Sequence, residues 1–495
     1  MGYIQKDAFR TMLLSYLGMF LGYFNKAFLF IIFLTTEEMG LLNLLLSVGL
    51  LFAQFCNLGT VYSVGKFFPF FRNKAKNNYG FLQYNFLIVT VGVVLFTFLV
   101  LVFRNEISSY YAEKSPDFVK YYLWFIPIGI AYIYFFLFEN YLRALHKNVI
   151  SVFLYEVFLR ILTTLAIVAY GVRWIDFDLL IKISSVIYFI PTFFLAMYLF
   201  YLKELNFRVW SVSIPKRFRK ILFRFSALSY FNTLGSLIVT TIDAMMIAAY
   251  LGLAETGIYT TIVFITAFLQ VPYRSLTRIT NPLVAVYWKA GDMVKMQELY
   301  QRVSSVLLII STVLFMYIWI NREAVFYILK PEFVQGIPVF LFLMIGRLTD
   351  MYLGLNGAIF TMSKKFAFDL IFTFLLIVIV YALNIFFIPR IGMSGAALST
   401  MIALLVYNVG RAYFVWKHYK LHPFTGSQGW VMLIFGVNVL LFELIPHLDN
   451  RWIDIVLRSV VFTATYPLLL YFFKVEAEIN TYVDKLLRRA GWLKT

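Results

Sequence analysis

Arg274 and Arg278 stand four residues apart in a long apolar stretch, a spacing that sets two guanidinium groups on one face of a helix. Like charges on one stripe repel, so the pair makes sense where it lines a wet cavity and meets an anion. A diphosphate suits guanidinium, whose planar fork bonds phosphoryl oxygens in pairs. Pro272, just upstream, removes a backbone donor and can kink the helix. Lys26, inside the first apolar run, is the expected companion of the two arginines. Arg347 is a further cation for the same anionic cavity, although Asp350 lies three residues on and intrahelical pairing is equally open. Asp243, Glu139 and Asp350 are the candidates for binding a coupling ion or proton, with a counter-ion role to the cations as the alternative.

The other ionisable groups inside apolar runs have simpler structural readings. Glu156 and Arg160 are one turn apart and can neutralise each other. Lys182, Arg411, Arg458, Asp369 and Glu443 fall near the expected ends of their runs, where side chains reach the interface. His146, His418, His422 and His447 show no metal-ligand spacing, so no metal or cofactor is expected. The lone Cys56 allows no intramolecular disulfide.

The elements that carry these residues are set by composition. Of 495 residues 62% are hydrophobic and only 14% charged, with a mean hydropathy of +0.81. Soluble domains are nearer 45–50% apolar and about 25% charged. An all-α integral membrane fold follows, because only helices satisfy the backbone of long apolar runs in lipid. With about 20 residues needed per crossing, the sequence predicts fourteen spans. They lie near 11–33, 40–62, 81–103, 121–144, 150–171, 178–202, 225–250, 256–285, 300–321, 336–361, 366–388, 394–416, 428–446 and 452–473. The first is too long for a signal-peptide core and precedes no small-residue cleavage site, so it is expected to stay.

Loop charges alternate as fourteen spans require. The termini and the loops after even-numbered spans, with Arg143 and Arg302 at the span ends beside them, hold 27 Lys and Arg, against 8 in the loops after odd-numbered spans. Such an excess marks the cytoplasmic face, which predicts cytoplasmic N- and C-termini. The net charge of +18 is then read as attraction to anionic lipid headgroups, not to nucleic acid. The densest cluster, Lys203 to Arg224, is expected to form a basic linker with a short surface helix.

The chain also repeats itself. Shifted by 217 positions, Leu34-Thr-Thr-Glu-Glu-Met-Gly40 falls on Leu251-Gly-Leu-Ala-Glu-Thr-Gly257, and Lys26 falls on Asp243. Six spans separate the copies, so both halves share one orientation and should be related by an axis along the membrane normal. The expected organisation is an N-lobe of six helices (1–202), the linker (203–224), a C-lobe of six helices (225–420), and two extra helices with a basic tail (421–495). Two similar membrane halves most often make a transporter with its site between them.

Four motifs resemble the polysaccharide (O-antigen) flippase branch of the multidrug/oligosaccharidyl-lipid/polysaccharide exporter superfamily. They are Thr241-Ile-Asp243 through Gly257-Ile-Tyr259, Leu34 to Gly40, Gly65-Lys66-Phe-Phe-Pro69, and Asn384 through Pro389-Arg-Ile-Gly392-Met-Ser394-Gly395-Ala396-Ala397. In the last, Gly392 permits a turn, Ser394 is expected to cap a helix start, and Gly395 allows close helix contact. The sequence departs from the pattern at Ala244, where many members carry a basic residue. The resemblance implies a flippase, not an enzyme, in the bacterial cytoplasmic membrane. It would move an undecaprenyl-diphosphate-linked oligosaccharide outward by alternating access, with membrane lipids and a polysaccharide polymerase or glycosyltransferases as partners. A drug/cation antiporter of the same superfamily is the alternative, disfavoured by the basic cluster. A membrane glycosyltransferase or ligase would want a long outer loop that the sequence lacks.

Overall fold

In the computed structural model the apolar runs form fourteen helices long and apolar enough to cross a bilayer. The residues described are 3–73, 78–205, 216–365, 368–473, 475, 480, 481 and 484. The helices are α1 (Phe9–Phe33), α2 (Thr36–Asn57), α3 (Asn78–Val102), α4 (Pro116–Ala144), α5 (Val149–Gly171), α6 (Phe177–Tyr201) and α7 (Lys220–Tyr250). They continue as α8 (Leu253–Ala290), α9 (Met293–Trp319), α10 (Pro331–Leu353), α11 (Phe368–Ile391), α12 (Met393–Tyr419), α13 (Gly426–Leu444) and α14 (Arg451–Phe472). No strand occurs among the described residues. The chain is an all-α, multi-pass membrane protein.

Local chemistry fixes the ends. Thr35 accepts from the Glu38 backbone N–H at 3.2 Å while Glu38 accepts from the Thr35 N–H at 2.8 Å, a capping box that starts α2. The Leu34–Gly40 motif is thus largely the first turn of a helix, and α2 begins earlier than its hydropathy predicts. It also ends earlier, at Leu58 and Gly59, both left-handed, and a separate short helix, Thr60–Phe71, follows. Asp292 caps α9 by accepting from the Lys295 N–H, and that bond holds the Asp292 carboxyl below its ordinary value.

The 217-residue register recurs in the boundaries. The ends of α1 and α7, Phe33 and Tyr250, are related by it, as are the starts of α2 and α8, Thr36 and Leu253.

Two compact units divide the chain, Met1–Thr261 and Ile262–Thr495. In the first, α2 packs against α3, α4 and α7, and α1 packs against α5. The α1–α5 contact is close because Gly18 and Gly22, spaced as G-x-x-x-G, leave room for the backbone of Glu156 and the guanidinium of Arg160. Both helices are widened there into π-helical turns, Asn25–Leu29 and Phe153–Phe158. Such bulges are frequent at functional sites.

Where α2 meets the first turns of α8 the contact is reciprocal. A Cβ on Gly40 would strike the Leu253 carbonyl, and one on Gly257 would strike that of Thr36. Four positions related pairwise by the register therefore meet each other, a local two-fold crossing.

In the second unit α12 packs against α10 and α11. Gly392 takes a φ of +63° at the α11–α12 turn, and Gly395 lets α12 lie against the Phe387 backbone, as its motif predicts. Ser394 does not cap: Gly392 occupies the N-cap position, without a side-chain bond, so Ser394 lies inside the first turn. Pro272 also differs from expectation. The chain bends in a 3₁₀ turn at Ala267–Leu269, and Pro272 sits in the first turn of the helix that follows, where no bond is lost.

The basic linker is partly outside the described residues (206–215), as is most of the tail beyond 473. Lys216 onward forms one continuous helix with α7, and the rest of the expected surface helix falls on residues outside those described. Three expected interfacial residues are buried instead. Arg411 pairs with Asp369 at 2.9 Å, and Arg458 pairs with Asp454 while donating to the carbonyls of Phe442, Ile445 and Pro446. A nearby acid and unpaired helix-end carbonyls make burial cheaper than reaching water. Lys182 bonds Asp178 one turn away, and Glu443 bonds Arg322 at 2.8 Å.

Candidate functional site

Lys26 sits in the π-helical turn of α1, which rotates its side chain into the interior of the first unit. It lines a cavity of about 250 Å³ bounded by α1, α2, α4, α5 and α6. Its ammonium donates to Asn43 Oδ1 at 3.1 Å, and the other end of that amide donates to Thr260 Oγ1 at 3.1 Å. Asn43 and Thr260 are themselves 217 residues apart. The repeat that pairs Lys26 with Asp243 thus places a hydrogen bond between two equivalent positions.

Arg160 lines the same cavity. Its guanidinium bonds Glu156 at 2.6 Å and the Gly18 carbonyl, and its own carbonyl accepts from Asn25 Nδ2 at 3.0 Å. The predicted intrahelical pair therefore forms, yet the arginine still borders the cavity beside Lys26. Tyr155, Tyr188, Thr163, Ser184 and Ser185 add hydroxyls to the wall. Two cations, two amides and several hydroxyls in an otherwise apolar chamber can hold an anion and neutral polar groups attached to it.

Asp243 lies in the same unit, on α7. It is buried, 5% exposed, and accepts from the Tyr259 hydroxyl at 2.6 Å. Glu139 on α4 is bonded to Arg143, one turn along. The remaining predicted residues belong to the second unit. Arg274 and Arg278 are both exposed, one turn apart on α8, and neither has an ion pair among the described residues. Arg347 Nε donates to Thr266 Oγ1 at 3.0 Å. Asp350 accepts from Asn408 Nδ2 at 3.3 Å and Gln270 Nε2 at 3.4 Å, so side-chain amides hold the acid while a hydroxyl holds the arginine.

Sequence reasoning missed Asn25, Asn43 and Asn408. Each is an amide in a run of apolar residues, with none of the charge that draws attention. A signal existed for Asn43, whose register mate Thr260 is also polar. The spacing of Arg160 from Glu156 shows their pairing but not that the arginine also borders a cavity.

No protein-family model and no curated protein matches the sequence. Solved structures do match. The lipid II flippase MurJ, in an inward closed conformation, superposes with a TM-score of 0.72 over 94% of this chain and 99% of that one, at 13% identity. The chain has the fold of the multidrug/oligosaccharidyl-lipid/polysaccharide exporters. An inward-facing multidrug resistance MATE family transporter of that superfamily gives 0.61 over 83% and 98%, again at 13% identity. A superfamily transporter from Pyrococcus furiosus, described by the reverse polarity of its binding pocket, gives 0.55 over 85% and 96%, at 14% identity. Identities this low carry the fold and nothing finer.

Proposed function

We propose that the chain is a flippase for a lipid-linked oligosaccharide, carrying an undecaprenyl-diphosphate-linked glycan from the cytoplasmic to the outer leaflet of a bacterial cytoplasmic membrane for surface polysaccharide synthesis. The observation that carries this reading is the cationic character of the cavity in the first unit, where Lys26 and Arg160 border a space of about 250 Å³. A buried ammonium costs several kcal/mol unless something repays it. An anionic passenger repays it in a way that a cationic drug does not. The second unit has its own exposed pair, Arg274 and Arg278, whose guanidinium groups suit a diphosphate.

Of the coupling candidates, Asp243 and Asp350 are better placed than Glu139. Asp243 is buried and accepts from the Tyr259 hydroxyl, and Asp350 accepts from the side-chain amides of Asn408 and Gln270. Glu139 is already matched by Arg143. Proximity to a polymerase or to glycosyltransferases follows from the reading, since a flipped oligosaccharide must be made on one face and polymerised on the other.

The test is loss of cations with retention of the protein in the membrane. Lys26→Ala, and separately Arg274→Ala with Arg278→Ala, should each weaken binding of the lipid-linked diphosphate about ten- to a hundredfold, the worth of lost charge-assisted bonds of about 1.5–3 kcal/mol. Flipping of a fluorescent undecaprenyl-diphosphate sugar in proteoliposomes should fall with it. Unchanged flipping in normally inserted variants would remove the anion-carrying role.

A further inference from the structure

The turn between α13 and α14 carries His447, whose ring lies between carboxylates from two different elements. Its Nδ1 is 3.0 Å from Asp454 Oδ2, on α14. Its Nε2 is 3.5 Å from Glu323 Oε1, on the short helix Arg322–Leu329 that links α9 to α10. All three residues belong to the second unit.

Ring chemistry makes this arrangement sensitive to pH. A neutral imidazole has one N–H and one bare nitrogen, so it donates to one carboxylate and turns a lone pair towards the other. An imidazolium donates from both nitrogens and meets both acids. Histidine's ordinary pKa of about 6.5 puts the exchange of that proton between roughly pH 5 and pH 8. The two acids are not equivalent. Asp454 also accepts from Arg458 Nε with both oxygens, at 3.0 and 2.9 Å, and from the Leu448 N–H at 3.2 Å. The neutral ring is therefore best placed with its single N–H on Nδ1, at the shorter distance, leaving bare Nε2 against the Glu323 carboxylate.

The other charged groups at this end are Arg458 on α14 and the pair Arg322 and Glu443, joined at 2.8 Å where the short helix meets the end of α13. Asp449 in the turn and Arg451 at the start of α14 are exposed, and the Arg451 guanidinium stacks 3.3 Å from the Tyr327 ring of the short helix. Arginine and carboxylate side chains ordinarily titrate outside the imidazole range. Uncharged bonds hold α14 to α9 and its end: Thr312 with Tyr466 at 2.7 Å and Asn321 with Ser459 at 3.1 Å. A proton on His447 thus acts on the short helix and leaves the spans in place.

We propose that Glu323, His447 and Asp454 form a proton-operated clasp that fastens the short helix between α9 and α10 to the turn between α13 and α14. The contact with Glu323 is made while the imidazole is charged, so it is present at acid pH and lost as pH rises past neutrality. Both connections follow odd-numbered spans, and loop charge predicts that such connections face the cell exterior. The inference stands apart from the flippase reading, because it needs no substrate.

Hydrogen–deuterium exchange of the full chain in lipid nanodiscs tests the clasp, read as protection factors so that the pH dependence of the exchange chemistry cancels. From about pH 5.5 to about pH 8 the amides of Arg322–Leu329 should lose protection several-fold in the wild type, while those of α14 keep theirs. Glu323→Gln, whose amide meets the ring in either protonation state, should abolish the change. His447→Gln, which does not titrate, should abolish it too. Glu323 and His447 are both exposed, so each variant is expected to fold. Protection of the short helix that is the same at both pH values in the wild type overturns the clasp. A change that persists in either variant, or an equal loss across α14, overturns it as well.

Discussion

Asn43 is the residue on which the candidate site turns. One amide satisfies a buried ammonium with its oxygen and a hydroxyl from the other half of the repeat with its nitrogen. Asparagine does this because it offers an acceptor and a donor on one short stem. Leucine has the same bulk and neither group. Asn43→Leu should therefore destabilise the protein by about 1.5–3 kcal/mol, the usual cost of stripping a charged group of its hydrogen bond. Lys26→Met should restore part of that loss, since the group left unsatisfied is then gone. Unfolding of the single and double variants in one detergent reads the coupling; strictly additive effects would show that the two side chains do not depend on each other.

At the scale of the helices, most of what was expected from hydropathy is present, and the departures share a cause. All fourteen runs form helices, because long apolar segments must satisfy their backbone internally. The α2 boundaries moved since they depend on the capping box at Thr35 and Glu38 and on the left-handed Leu58–Gly59 pair, which hydropathy does not sense. Arg411 and Arg458 are buried for a similar reason: Asp369, which pairs with Arg411 from another helix, and the carbonyls that Arg458 reaches are assembled only in three dimensions. The reciprocal crossing of α2 and α8 gives this scale its prediction. Gly40→Ala and Gly257→Ala each drive a methyl into a backbone carbonyl, which cannot swing aside. Both should cut the folded, monodisperse yield on size-exclusion chromatography, and by similar amounts. Gly429→Ala, with open space at its Cβ, should leave the yield unchanged and serves as the control. A tolerated alanine at both crossing positions would mean that the helices can part there at little cost.

For the whole molecule, orientation is the property that charge decides. The Lys and Arg excess on even-numbered loops predicts that both termini lie in the cytoplasm. In a Cys56→Ser background, single cysteines at Asp117 and Asp449 should react with an impermeant maleimide from outside intact cells. Cysteines at Lys147 and Lys364 should react only after the membrane is opened. The reverse pattern would invert the direction of any transport and with it the proposed path of the lipid.

Membrane residence, the number of crossings, the internal register and the presence of cations inside apolar runs were all legible in the sequence. Each rests on sums over many residues or on a constant spacing, and such signals survive without coordinates. Which cation meets which partner was not legible. Lys26 beside Arg160, and Asn43 against Lys26 and Thr260, are contacts between residues 17 to 217 positions apart. Only the packed helices bring such groups within the 3 Å or so at which a hydrogen bond exists, so the tertiary structure alone decided them.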